Sequence, residues 1–172
     1  ASAMKRFTTI ALSTAGLLLA AQGATADVVS DTFDVTATVA AACTVGGANI
    51  TFGTITGFDP DTDTANITVN CGSGVDYDIG LDLGLNSANV PVGAGAVTRA
   101  MTDGVGNYVG YEIYSEATYT NVWGSTIPTD TVAGTGTGAN AIHVMYAETP
   151  AQGGAAPGSY SDTVTVDVTF TP

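Results

Sequence analysis

The chain has 172 residues, with 3 Lys and Arg against 16 Asp and Glu and a formal net charge of −13. A charge of this sign excludes electrostatic binding to nucleic acid or to an anionic membrane, and otherwise serves solubility. A single His and so few basic side chains give no support to an active site, so the expectation is a protein that is not an enzyme and holds no cofactor or metal.

The chain opens with its own composition. Met4-Lys5-Arg6 forms a short basic region, Ile10 to Ala21 is apolar around Leu17-Leu18-Leu19, and Ala24-Thr25-Ala26 is an A-x-A cleavage pattern. Together these read as a secretory signal peptide, too short to anchor in a bilayer. Residues 1–26, a few upstream residues and then the signal, are therefore set apart from the fold. Lys5 and Arg6 leave with the signal, which makes Arg99 the one strong base of the exported chain. Arg99 is expected to pair with a carboxylate.

Next comes an unusually long alternating run. Phe33, Val35, Ala37, Val39, Ala41, Cys43 and Val45 alternate with small or polar residues, and nothing breaks the run before Gly46-Gly47. This is strand periodicity. Thirteen residues in extended form reach roughly 43 Å, against ~17–20 Å for an ordinary strand. The second half is expected to join its own domain and the first half to protrude. Residues 27–42 are thus a donor extension and short connector, with Ala40-Ala41-Ala42 as the turnless link, and residues 43–172 are one domain able to bury a core.

Cys43 and Cys71 are the only cysteines. In an exported protein an isolated pair most simply forms a disulfide. Beyond them, alternating runs at Ala48–Phe52, Ala65–Cys71, Val75–Leu85, Tyr108–Tyr114, Ala141–Tyr146 and Thr163–Phe170 predict strands. Turn clusters at Gly46-Gly47, Asp59-Pro60-Asp61, Gly72-Ser73-Gly74, Gly104–Asn107, Gly134–Asn140 and Gly153–Gly158 separate them. Helix formers are scarce, and the pattern is that of an all-β sandwich. The closing strand is the cleanest: Val164, Val166, Val168 and Phe170 alternate with Thr163, Thr165, Asp167 and Thr169. It stops at Pro172 with no following strand to pair its edge, and an unpaired apolar edge is an aggregation hazard unless covered. One end of the chain lacks a strand and the other carries a spare.

Other motifs weigh toward structure. Asp59, Asp61 and Asp63 begin like a calcium loop, but Thr64 and Asn70 stand where Gly and Glu are required, so a solvated turn is expected. Gly134-Thr135-Gly136-Thr137-Gly138 lacks the Lys and helix of a phosphate loop. His143, between Ile142 and Val144, reads as a strand-face residue. Trp123 and the tyrosines at 108, 111, 114, 119, 146 and 160 read as packing residues, with a sugar-binding face as the alternative.

The order of these features resembles the spore coat protein U family, the pilins of archaic chaperone–usher pili. The matching pieces run through Cys43-Thr44-Val45, Ile50-Thr51-Phe52-Gly53, Ile67-Thr68-Val69-Asn70-Cys71, Tyr77-Asp78-Ile79-Gly80-Leu81, Arg99-Ala100-Met101, Tyr111-Glu112-Ile113-Tyr114, Trp123-Gly124 and Gly158 to Val166. The resemblance implies an incomplete immunoglobulin-like β-sandwich with a protruding N-terminal donor strand. It also implies export through the periplasm to the cell surface, with a periplasmic chaperone, an outer-membrane usher and other copies of the chain as partners. The donor residues would be Phe33, Val35, Ala37 and Val39, and the groove edge Val164, Val166, Val168 and Phe170. The product would be a surface fibre serving attachment and biofilm formation. The alternatives are an adhesin module for a carbohydrate, host or abiotic surface, a spore-coat protein, and a secreted sandwich whose N-terminal strand pairs internally.

Overall fold

The structure, a computed structural model, describes residues 27–171. The signal-peptide reading falls on residues 1–26 and lies outside the described residues. The chain divides into two units at Ala37 and Thr38. In the first, residues 27–37 have no regular secondary structure and expose their side chains.

The second unit carries the strands β1 (Cys43–Gly47), β2 (Asp61–Cys71), β3 (Asp76–Leu81), β4 (Arg99–Thr102), β5 (Tyr108–Tyr114), β6 (Val132–Thr135), β7 (Ala141–Thr149) and β8 (Val166–Phe170). All pairings are antiparallel. A five-stranded sheet runs β1-β2-β7-β5-β4 and a three-stranded sheet runs β6-β3-β8. The fold is an all-β, immunoglobulin-like sandwich. Period-two alternation explains its core: on β2, Ala65, Ile67, Val69 and Cys71 turn inward while the intervening Thr and Asn face out. Ile79 and Leu81 of β3, Ile113 of β5, Ala147 of β7 and Trp123 complete the interior.

Among the described residues the buried Arg99, Glu112 and Gln152 side chains are hydrogen-bonded, while the buried Thr149 hydroxyl has no partner. Arg99, fully buried, pairs with Glu112. Its guanidinium also donates to the carbonyls of Asp82 at 2.8 Å and Trp123 at 2.7 Å. Glu112 in turn accepts from the Thr98 N–H at 2.8 Å and the Thr98 hydroxyl at 2.7 Å. Arg99 thus ties β4 and β5 of one sheet to the end of β3 in the other. Trp123 is a core residue whose Nε1 donates to the Ile79 carbonyl at 2.9 Å. His143 faces inward, and its Nε2 lies 3.0 Å from the Tyr77 hydroxyl of the opposite sheet.

The side-chain amide of Gln152 extends a sheet. β7 ends at Thr149 because Pro150 has no N–H to offer. Beyond it, Gln152 Oε1 accepts from the Gly110 N–H and Gln152 Nε2 donates to the Gly110 carbonyl, both at 2.7 Å. A Cβ on Gly110 would stand 2.7 Å from that of Ala94, so the close approach requires glycine.

Several element boundaries differ from the expectation. Gly46-Gly47 is not a turn: both residues belong to β1, opposite Thr68 and Ile67. Glycine permits a turn but does not force one, and here its backbone stays extended. Ala48–Phe52 lies outside the ladder, and β2 begins four residues earlier than Ala65, at Asp61. Val75–Leu85 shortens to β3 because the chain bends at Gly84, with φ 76°. Thr163–Phe170 narrows to β8. β4 and β6 escape the pattern because each has only four residues. β6 also takes Gly134 from an expected turn, since the Tyr77 ring leaves no room there for a Cβ.

Candidate functional site

β8 pairs with β3 on one side only, and among the described residues its other edge has no strand partner. Two bonds fix the parity of that edge. The Asp82 N–H donates to the Thr165 carbonyl at 3.0 Å, and the Thr171 N–H to the Asp76 carbonyl at 3.4 Å. In an antiparallel ladder main-chain groups alternate in direction. Residues 165, 167, 169 and 171 therefore address β3, while Val164, Val166, Val168 and Phe170 aim their N–H and C=O groups at the open side. The side chains of Val164, Val166 and Val168 pack on the core yet remain half-buried, and Phe170 is 36% exposed. No residue of this apolar strand is fully buried.

The start of β8 is held by carboxylates. Asp82 Oδ1 accepts the N–H groups of Thr165 and Gly84, each at 2.9 Å. Burial pushes the Asp82 carboxyl up, but its hydrogen bonds from Thr165 and Gly84 and the Arg99 charge outweigh this and hold it below the ordinary value. Asp162 accepts the Tyr111 hydroxyl at 2.7 Å and the Leu85 N–H at 3.0 Å. Burial, with the Asp162 partner, pushes the Tyr111 phenol far above its ordinary range, so it stays a donor.

The facing wall is β1 and the residues after it. β1 is an edge strand that lies against β8. Cys43 and Cys71 form the disulfide; they are directly opposed across β1 and β2, with Cα atoms 4.1 Å apart. Further on, Ile50 and Phe52 pack half-buried against the same core as the β8 valines. The Phe52 ring meets Tyr111 edge-on at 6.2 Å. Here the main chain is held by side chains: the Thr51 N–H donates to Asp63 Oδ2 at 2.6 Å and the Gly53 N–H to Asp61 Oδ2 at 2.9 Å. Asp61 and Asp63, expected in a solvated turn, are strand residues with a structural task.

The remaining expected site residues lie in the N-terminal extension. Phe33, Val35 and Val39 are 86%, 83% and 94% exposed, Ala37 is exposed as well, and none belongs to a strand. Sequence reading identified the β8 edge but passed over Ile50 and Phe52 as a wall; their alternation with Thr51 was the available signal. The tyrosines divide. Tyr77 and Tyr111 are core, while Tyr114, Tyr119 and Tyr146 form a half-exposed edge-to-face cluster with centroids 5.5 and 6.3 Å apart. Among the described residues no group of three or more His, Cys, Asp or Glu is placed to hold a metal ion.

Comparison with known proteins gives the following. Residues 29–167 match the Spore Coat Protein U domain family. A solved complex of the chaperone CsuC with the tip adhesion subunit CsuE, from the archaic chaperone–usher Csu pili of Acinetobacter baumannii, matches with a TM-score of 0.51 at 24% identity. The match covers 76% of this chain and only 40% of that one, and it is a likeness of fold. HdaB, the minor tip subunit of the E. coli Hda pilus, matches with a TM-score of 0.38 at 15% identity over 74% of this chain and 79% of that one. No curated protein matches.

Proposed function

Because this chain belongs to the Spore Coat Protein U domain family, we propose that it is a structural subunit of an exported surface pilus, polymerising by donor-strand exchange. The observation that carries this reading is the half-covered β8, whose alternate valines rest on the core while their main-chain groups address an empty strand position. The occupant is residues Phe33 to Val39 of a second copy. That segment has the matching alternation, exposes its apolar side chains and belongs to no strand of its own.

The linkage is β-augmentation: main-chain bonds supply affinity and alternate side chains supply register. Burying Phe33, Val35 and Val39 contributes on the order of 1.5–3 kcal/mol each. Each main-chain bond adds about 0.5–1.5 kcal/mol net. Before assembly a periplasmic chaperone covers the groove, as the chaperone-bound state of the Csu tip subunit suggests by analogy. At an outer-membrane usher the extension of the next subunit replaces it. The fibre then serves attachment and biofilm formation at the cell surface. The family description favours a spore-coat layer as second reading, and immunogold labelling of the producing cells separates fibre from coat.

Phe33→Asp and Val35→Asp are expected to abolish fibres seen by electron microscopy while the far-UV circular dichroism and thermal transition of the monomer stay unchanged. Fibres of normal length from both variants would show that these residues are not the donor.

A further inference from the structure

The β1–β2 pairing keeps one register from Ala42 to Ala48. Cys43 faces Cys71 and Gly47 faces Ile67. The same count is kept by the Ala42 carbonyl, which accepts from the Gly72 N–H at 3.0 Å, and by the Ala48 N–H, which donates to the Asn66 carbonyl at 2.9 Å. In that register the even-numbered residues from Ala42 to Ala48 aim their main-chain groups at β2. Past Ala48 the alternation shifts by one residue: the Thr51 N–H reaches the Asp63 carboxylate and the Gly53 N–H the Asp61 carboxylate. The main-chain ladder thus ends at Ala48, and side chains of β2 take over.

A carboxylate arm is longer than a main-chain bond, so it holds the partner strand farther off. It also ends in an acceptor only, which fits the N–H groups it meets. With the Thr51 and Gly53 N–H groups turned toward β2, alternation directs the main-chain groups of Ile50 and Phe52 the other way. Among the described residues these groups have no hydrogen-bond partner. The side chains of Ile50 and Phe52 face the core shared with the β8 valines. Phe52 meets Tyr111, and Tyr111 is bonded to Asp162 just before β8.

We propose that Asp61 and Asp63 are positioning residues that hold Ile50–Gly53 away from β2, so that the main-chain groups of Ile50 and Phe52 form the second pairing edge for the donor strand of a neighbouring copy. This rests on the donor-strand reading above and adds to it the side chains that keep its second wall open. The incoming segment would then bond alternately to β8 and to Ile50 and Phe52, and become a central strand.

Hydrogen exchange of the exported chain, free and assembled into fibres, tests this residue by residue. The Ile50 and Phe52 amides are expected to exchange at least 100-fold more slowly in fibres than in the free chain, alongside those of Val166 and Val168. The Thr51 and Gly53 amides are expected to be protected in both states. In the double variant Asp61→Ala, Asp63→Ala, protection at Thr51 and Gly53 is expected to be lost and fibre growth to slow about tenfold. Asp61→Asn with Asp63→Asn, which keeps a carbonyl acceptor, is expected to restore both. Protection at Val166 and Val168 without any at Ile50 and Phe52 would overturn the second edge and leave donor-strand exchange standing. No protection at Val166 and Val168 in fibres would overturn both. Wild-type growth of the alanine variant would remove the positioning role, and the exchange pattern of the unsubstituted chain decides even where that variant fails to fold.

Discussion

Arg99 is fully buried among the carbonyls of Asp82 and Trp123 and the Glu112 carboxylate. Taking such a pair out of water costs several kcal/mol per ion, and only full hydrogen bonding offsets it. Removing one partner leaves the other charged and unpaired. Arg99→Ala is therefore expected to cost about 3–5 kcal/mol in denaturant unfolding, a large part of the stability of a domain of this size. Arg99→Met combined with Glu112→Leu is expected to recover part of the loss, because no buried charge remains. His143 makes a gentler prediction. Its burial lowers the imidazole below its ordinary value, and the Tyr77 hydroxyl lies within bonding distance of Nε2. The unfolded chain then takes up the proton first, so this contribution is complete above pH ~6.5 and declines as the pH falls toward the lower folded value. Thermal unfolding between pH 8 and 5 should show the decline, and His143→Phe should flatten it. A lone His on a strand face was legible; its inward direction and its partner in the other sheet were not, because that contact joins residues 66 positions apart.

Among the elements, β1 is the most dependent on a single bond. Four of its five residues are exposed, so apolar burial contributes little to holding it. The Cys43–Cys71 disulfide closes a separation of 28 residues. On the chain-entropy model that contributes about 3.5 kcal/mol. Cys43→Ser with Cys71→Ser is expected to lower the unfolding free energy by about that amount and to make β1 the first strand lost in hydrogen exchange. Alternating strands such as β2 and β8 were legible because inward and outward residues differ in kind. The stretch after β1 was harder. Ile50 and Phe52 alternate like a strand, yet their neighbours bond to carboxylates from β2, and no local pattern distinguishes an aspartate in a turn from one that bridges two chains. The four-residue strands β4 and β6 carry too few positions for periodicity to register.

For the whole molecule, the sandwich, its disulfide and the half-covered last strand could all be argued from composition and alternation. What could not be read was which surfaces meet. The Phe52–Tyr111–Asp162 chain brings together three widely separated segments, and only the folded topology makes them neighbours. The same holds for Gln152, whose amide pairs with the main chain of Gly110 in β5.

How the outer edges are finished also bears on connectivity. β4 is blocked on its far side, where Thr102 and Ser161 exchange main-chain bonds at 3.0 and 2.9 Å. β6 is a four-residue strand. Among the described residues, β8 combines an apolar face on the core with aligned main-chain groups on its open side. On the proposed donor-strand reading each copy is a building block with one socket and one plug, a valence of two. Such units can be threaded like beads but cannot branch or cross-link, so the length of a fibre would be set by supply and by what occupies its last open socket.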